Sequence, residues 1–282
     1  MYFGNTPVTF LSDTLSTENV EPEAPEMGLQ ALIFDVDGTV AETADLHRAA
    51  FNRAFAEHGL SWHWDREIFS QLAPVEFSLP KLRLFSVAMR RSGQGNVPPH
   101  SELAKLAKRK AQFFCQLVRE GAAHLRPGVA RLMQEALHEG LSIGAVSTSS
   151  RAETQALLIA VLGFHNLHWI TSLKTAEDAH VPAAERSLYK AVLDDFDIVG
   201  RRAFAIDDSA SGALAATRNG IPVLAAPSMY TASNRFECAT LTLSDLGQPA
   251  EPFTVISGKA FGHPYVSPAL LRQLSAQKAK AA

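Results

Sequence analysis

From Ala31 onward the chain alternates short apolar runs with longer stretches in which apolar residues recur every three or four positions. The runs "ALIFDV", "LSIGAVS", "LHWITSL", "AFAIDD" and "IPVLAA" have strand length and strand composition. "RPGVARLMQEALHEG" and "ASGALAATRNGIP" have helical period, with Pro127 expected in a first turn and Gly140 and Gly220 as stops. Strands alternating with helices predict an α/β fold, a parallel sheet with helices on its faces. Between the first two strands, residues 44–123 read as helical, notably in "LHRAAFNRAFAEHG" and "SELAKLAKRKAQFFCQLVREG". A crossover needs far less, so this segment is expected to be an inserted helical cap domain. The expected organisation is a flexible tail over residues 1–28, an α/β core over 29–43 and 124–282, and the cap over 44–123.

Composition narrows the function classes. A chain of 282 residues with 46% hydrophobic residues can bury a full core, and a formal charge of −3 with dispersed basic residues offers no footprint for nucleic acid or an anionic membrane. The two cysteines, Cys115 and Cys238, form no CxxC, so neither a disulfide framework nor a zinc site is indicated. No apolar run reaches membrane-span length, and the first basic residue is Arg48, which argues against a charged leader. The expectation is a cytoplasmic protein acting on a small molecule, as a monomer or weak oligomer. The ten histidines show no HExxH, and "GALAATRNG" is no dinucleotide fingerprint.

Two acidic pairs change the picture. Asp35 and Asp37 close the first apolar run, and Asp207 and Asp208 close the fourth. Ligands of parallel α/β sheets bind beyond the carboxyl ends of strands, where both pairs fall. If neighbouring strands bring the pairs together, three or four carboxylates converge and repel one another unless a cation sits between them. Hard oxygen ligands favour Mg²⁺, which keeps waters and binds substrate phosphate. After the second strand, Ser147 and Thr148 precede the helical stretch "TSSRAETQALL", so hydroxyls and backbone N–H groups there are candidates to hold phosphate oxygens.

The order "DVDGT", "GAVSTSS", "DDS" resembles the haloacid dehalogenase (HAD) superfamily. More narrowly, "EHGLSWHWDRE" and "APSMYTASNRFECATLTLSDLGQPAEP" resemble the CbbY-like sugar-bisphosphate phosphatases over about residues 30 to 275. The resemblance implies a Rossmannoid parallel sheet with an inserted α-helical cap, and a Mg²⁺-dependent phosphatase acting on a small phosphorylated sugar or related metabolite. It implies Asp35 as nucleophile forming an aspartyl-phosphate and Asp37 as general acid and base. It further implies a metal held by Asp35, the Asp37 carbonyl, Asp207 and Asp208.

Three departures bear on that expectation. The family places a lysine beside the phosphate, and in "VPAAERSLY" Ala183 stands at its position. Loss of one such preorganised cation removes about 3 kcal/mol of charge stabilisation. Lys174, Arg186 and Lys190 are candidate replacements, Lys174 first because it lies in the loop after "HWITSL". The family's glycine-rich basic cap loop is replaced by "VEFSLPKLRLF", where Lys81 and Arg83 are candidates to meet a second phosphate. In "AETADLH", Ala44 replaces a glutamate that contacts sugar hydroxyls, while Glu42 remains as a candidate substrate residue. The alternative to an active phosphatase is a catalytically impaired relative with a binding or regulatory role. The aromatic cluster Trp62, His63 and Trp64 is expected to pack the cap.

Overall fold

The computed structural model describes residues 28–75, 77–93, 96–180 and 184–281. The expected tail before residue 28 and the position of Ala183 lie outside the described residues.

Seven strands form one sheet: β1 (Ala31–Asp35), β2 (Ser142–Val146), β3 (Ser172–Lys174), β4 (Ala203–Asp207), β5 (Val223–Ala225), β6 (Leu241–Leu243) and β7 (Val255–Ser257). Their order is β3-β2-β1-β4-β5-β6-β7, with every pairing parallel except β6 with β7. β1 therefore lies between β2 and β4. Its successive side chains alternate between faces: Leu32 and Phe34 join one buried cluster, and Ala31 and Ile33 join another. The first cluster is closed by α5 (Val129–His138), α6 (Arg151–Leu162) and α9 (Pro268–Ala281), and the second by α7 (Ala184–Phe196) and α8 (Ala210–Thr217). Burial on both faces explains why β1 and β4 read as continuous apolar runs.

Four helices follow β1 before the chain re-enters the sheet: α1 (Ala44–Glu57), α2 (Arg66–Leu72), α3 (Ser78–Ser92) and α4 (His100–Arg119). They share an apolar cluster of their own, including Phe51, Phe55, Phe69, Leu82, Leu103 and Leu106. Trp62 and Trp64 are buried in it, packed edge-on against Phe55 and Phe85.

Two local expectations are corrected, and the sheet gains two strands. The first three residues of "LHWITSL" finish a 3-10 turn, Phe164–Trp169, and only its last two pair as a strand, within Ser172–Lys174. Pro127 precedes its helix, which Gly128 opens in the left-handed conformation at φ 82°. β6 and β7, three residues each, extend the sheet beyond the five runs read from the sequence. Among the described residues no helix is long and apolar enough to cross a membrane.

Candidate active site

Strand register assembles the carboxylates. Phe34 pairs with Ile206, so the next residues, Asp35 and Asp207, emerge side by side at the carboxyl ends of β1 and β4. Carboxylate oxygens of Asp35, Asp207 and Asp208 all lie within 4.8 Å of one another. Burial first, then Asp207, Asp208 and Asp37, pushes the Asp35 carboxyl well above the usual range. Burial and the Asp207 charge push Asp208 up to about 7. Burial also raises Asp207, against hydrogen bonds from Tyr189 and Ser209. One buried oxygen of Asp35 finds no hydrogen-bond partner among the described residues. Hard oxygen donors that repel one another, with one oxygen uncommitted, fit a divalent cation of the Mg²⁺ type. Gly38, at φ 95°, closes over this cluster, and a β-carbon there would run into the Asp208 carboxylate.

Asp37 sits in the opposite environment. Its carboxylate accepts from Thr43 Oγ1 at 2.9 Å, His47 Nε2 at 2.7 Å and Ser147 Oγ at 2.8 Å. Burial alone would raise Asp37, but His47 and these hydrogen bonds outweigh it and hold the carboxyl below the usual range. Thr43 stands at the N-cap of α1 without capping it, because its hydroxyl is spent on Asp37. His47 is in turn tied through Nδ1 to Lys110 Nζ of α4, 2.7 Å away, and Lys110 pairs with Glu153 of α6 at 2.7 Å. Burial and the Lys110 charge lower the His47 imidazole. A neutral ring that accepts from Lys110 at Nδ1 and donates from Nε2 to Asp37 satisfies every partner.

The sequence candidates divide. Asp35, Asp37, Asp208, Thr148 and Lys81 line one cavity of about 160 Å³, together with Lys110, Glu185 and Tyr230. Lys81 donates to the Val75 carbonyl. Asp207 lies behind them, accepting from Tyr189 and Ser209. Ser147 is placed on Asp37 rather than toward a ligand. Lys174 is drawn away from the cavity, onto Asp195 of α7 at 2.7 Å. Arg186 reaches the Arg218 carbonyl and Lys190 reaches Asp194, so neither lines the cavity. Arg83 is exposed on the outer side of α3. Glu42 faces Arg126, with 3.6 Å between Oε1 and Nε, because the buried guanidinium attracts it there.

Sequence reasoning missed His47, Thr43, Lys110, Glu153 and Arg126. Lys110 carried a signal: Leu103, Leu106, Lys110, Phe114 and Leu117 form the buried stripe of α4, and a lysine in an apolar stripe calls for a buried partner. Arg126 donates to the Gly38, Ala226, Pro227 and Ser244 carbonyls, joining the loops after β1, β5 and β6 beneath the acidic cluster.

The model of the haloacid dehalogenase-like hydrolase family matches residues 29–220, which hold every residue of this cluster named so far except Ala226, Pro227, Tyr230 and Ser244. The chain belongs to that family. Its curated relatives include the plasmid-borne protein CbbY of Cupriavidus necator, 36% identical over 79% of this chain and 88% of that protein. Two solved structures of CbbY from Rhodobacter sphaeroides superpose with a TM-score of 0.71 at 31% identity. One, in complex with phosphate, is matched over 77% of this chain and 94% of its own. The other, a substituted form in complex with xylulose-(1,5)bisphosphate, is matched over 79% of this chain and 98% of its own. The hydrolase is thus a divergent CbbY-like member, a phosphatase built on a mostly parallel sheet.

Proposed function

We propose that this phosphatase hydrolyses a small phosphorylated sugar, a monophosphate or bisphosphate, through an aspartyl-phosphate on Asp35, with Mg²⁺ as cofactor. One observation carries the reading: two carboxylates two residues apart are held in opposite states, Asp35 in a repelling acidic cluster and Asp37 under three hydrogen-bond donors. Pairs of titratable groups pushed apart in this way mark a division of catalytic labour. The CbbY complex with a sugar bisphosphate supports the substrate class.

The roles follow from position. An Asp35 oxygen attacks phosphorus as the bond to the ester oxygen breaks, and the departing oxygen takes its proton from Asp37. Water then attacks the phosphoryl group, giving its proton to Asp37 and freeing Asp35 and inorganic phosphate. The three donors favour the base form of Asp37 needed in the second half. The negative charge of an arriving phosphate favours the acid form needed in the first. Mg²⁺, held by Asp35, Asp207, Asp208 and the Asp37 carbonyl, would neutralise charge on the phosphoryl oxygens. Thr148 on the core side and Lys81 on the helical side supply further donors. Residues 44–123 act as the cap over the site, excluding bulk water. Free cysteines at Cys115 and Cys238 suit a reducing cytoplasm.

The test is to trap the intermediate. Acid quenching during turnover followed by borohydride reduction should convert Asp35 to homoserine, read by peptide mass spectrometry. Conversion at another carboxylate, or at none while phosphate is released, would overturn the assignment.

A further inference from the structure

The space at the catalytic aspartates is about 160 Å³, below the usual ~300–1,000 Å³ of small-molecule pockets. Beside it lies a second cavity of about 640 Å³, between α4 on the helical side and the start of α6 on the core side. Phe77, Ser78 and Thr148 line both, so the two spaces adjoin at the site. Its volume exists because one face of α4 presents small side chains at helical spacing, Ala107, Ala111 and Cys115, opposite Ala152 of α6.

The charges around this cavity have one sign. Lys108 and Arg119 line it from exposed positions, and among the described residues neither has an ion-pair partner. Glu153 also lines it, but its carboxylate is neutralised by Lys110 at 2.7 Å. An apolar-walled space with two uncommitted cations suits a carbon skeleton that ends in an anion.

We propose that this α4/α6 cleft is the subsite for the part of the substrate remote from the scissile phosphate, and that the positive charge of Lys108 and Arg119, spaced about 16 Å apart along α4, draws a second anionic group into it. The proposal rests on the phosphatase reading above and locates its specificity. It assigns that role to α4 instead of to Lys81 and Arg83, of which one donates to the Val75 carbonyl and the other points to solvent. Because the walls come from both the insert and the core, a ligand in the cleft also holds the two together.

Calorimetric titration tests this with Asp35→Asn, which binds without turnover, in the presence of Mg²⁺. A pentose bisphosphate and the matching monophosphate are the probes. The bisphosphate should bind more tightly. Lys108→Glu combined with Arg119→Glu should weaken the bisphosphate by about tenfold or more, the scale of losing charged hydrogen bonds, and the monophosphate far less. Ala111→Trp, which fills the cleft without altering charge, should narrow the same gap. Equal affinities for the two probes before substitution, or equal losses for both in the variants, would overturn the proposal. Phosphate release from acetyl phosphate by the unsubstituted chain is read separately. Its absence alongside a cleft-dependent bisphosphate preference would sink the phosphatase reading while upholding the cleft as an anion subsite.

Discussion

The Lys110 ammonium lies 2.7 Å from Nδ1 of His47. Through that contact a residue of α4, on the insert, fixes the ring that holds Asp37 on the core. The pair makes the protonation and orientation of Asp37 depend on how the helical insert sits. His47 also stacks on Phe114 of α4, 4.1 Å between ring centres, so the ring's plane is set by the same helix.

Lys110→Met should lower kcat by about ten- to a hundredfold through loss of acid–base control at Asp37. It should also destabilise the fold by about 3 kcal/mol or more, because the buried Glu153 loses its counter-charge. Adding Glu153→Gln separates the two effects. The double variant should recover most of the melting temperature but not the rate, with KM little changed and the acid limb of the pH–rate profile shifted.

Gly38→Ala tests the fit of the metal-side loop. A methyl group there meets the Asp208 carboxylate in a backbone conformation at φ 95° that alanine resists. The expected cost is about 1–3 kcal/mol of strain together with a weaker Mg²⁺ affinity, measured by thermal melts and by titration of Mg²⁺. Unchanged Mg²⁺ binding would remove Asp208 from the ligand set.

Arg126→Met should act on the same site from beneath. Removing the guanidinium leaves the carbonyls of Gly38, Ala226, Pro227 and Ser244 short of a donor, and each buried orphan costs about 1–3 kcal/mol. The Mg²⁺ concentration needed for half-maximal activity should rise, and limited proteolysis should reach the loop after β5 sooner.

The acidic cluster predicts a pH dependence of stability without metal. Asp208 is raised to about 7 in the fold, and Asp35 and Asp207 are raised in the same direction. Between its ordinary and raised values, each group binds its proton in the folded state and not in the unfolded state, so stability falls as pH rises through the folded value. Lowering pH from about 8 to about 7 should therefore raise the melting temperature in chelator; further down, the buried neutral His47, whose ordinary value is about 6.5, works in the opposite direction. Mg²⁺ should reverse the trend by favouring the ionised carboxylates, stabilising more at the higher pH. Asp208→Asn should flatten the metal-free slope.

Part of this site was legible in the sequence. Asp35, Asp37, Asp207 and Asp208 stood out because charge at the end of an apolar run has few structural reasons to be there, and the parallel sheet brought them together as the alternation implied. Lys174 misled because its partner, Asp195, lies on a helix that only the folded sheet sets beside it. "LHWITSL" misled because apolar content does not separate a strand from a packed 3-10 turn. β6 and β7 were too short to show a period. The donors to Asp37 come from α1 and from the loop after β2, and the lysine behind them from α4, so only tertiary structure joins them.

Turnover through Asp35 is tested most directly by phosphate release from a panel of sugar monophosphates and bisphosphates, with and without Mg²⁺, comparing the native chain with Asp35→Asn. Mg²⁺-dependent release that the substitution abolishes is the predicted result. Release that survives Asp35→Asn, or no release from any member of the panel by a chain that still binds Mg²⁺, would contradict it.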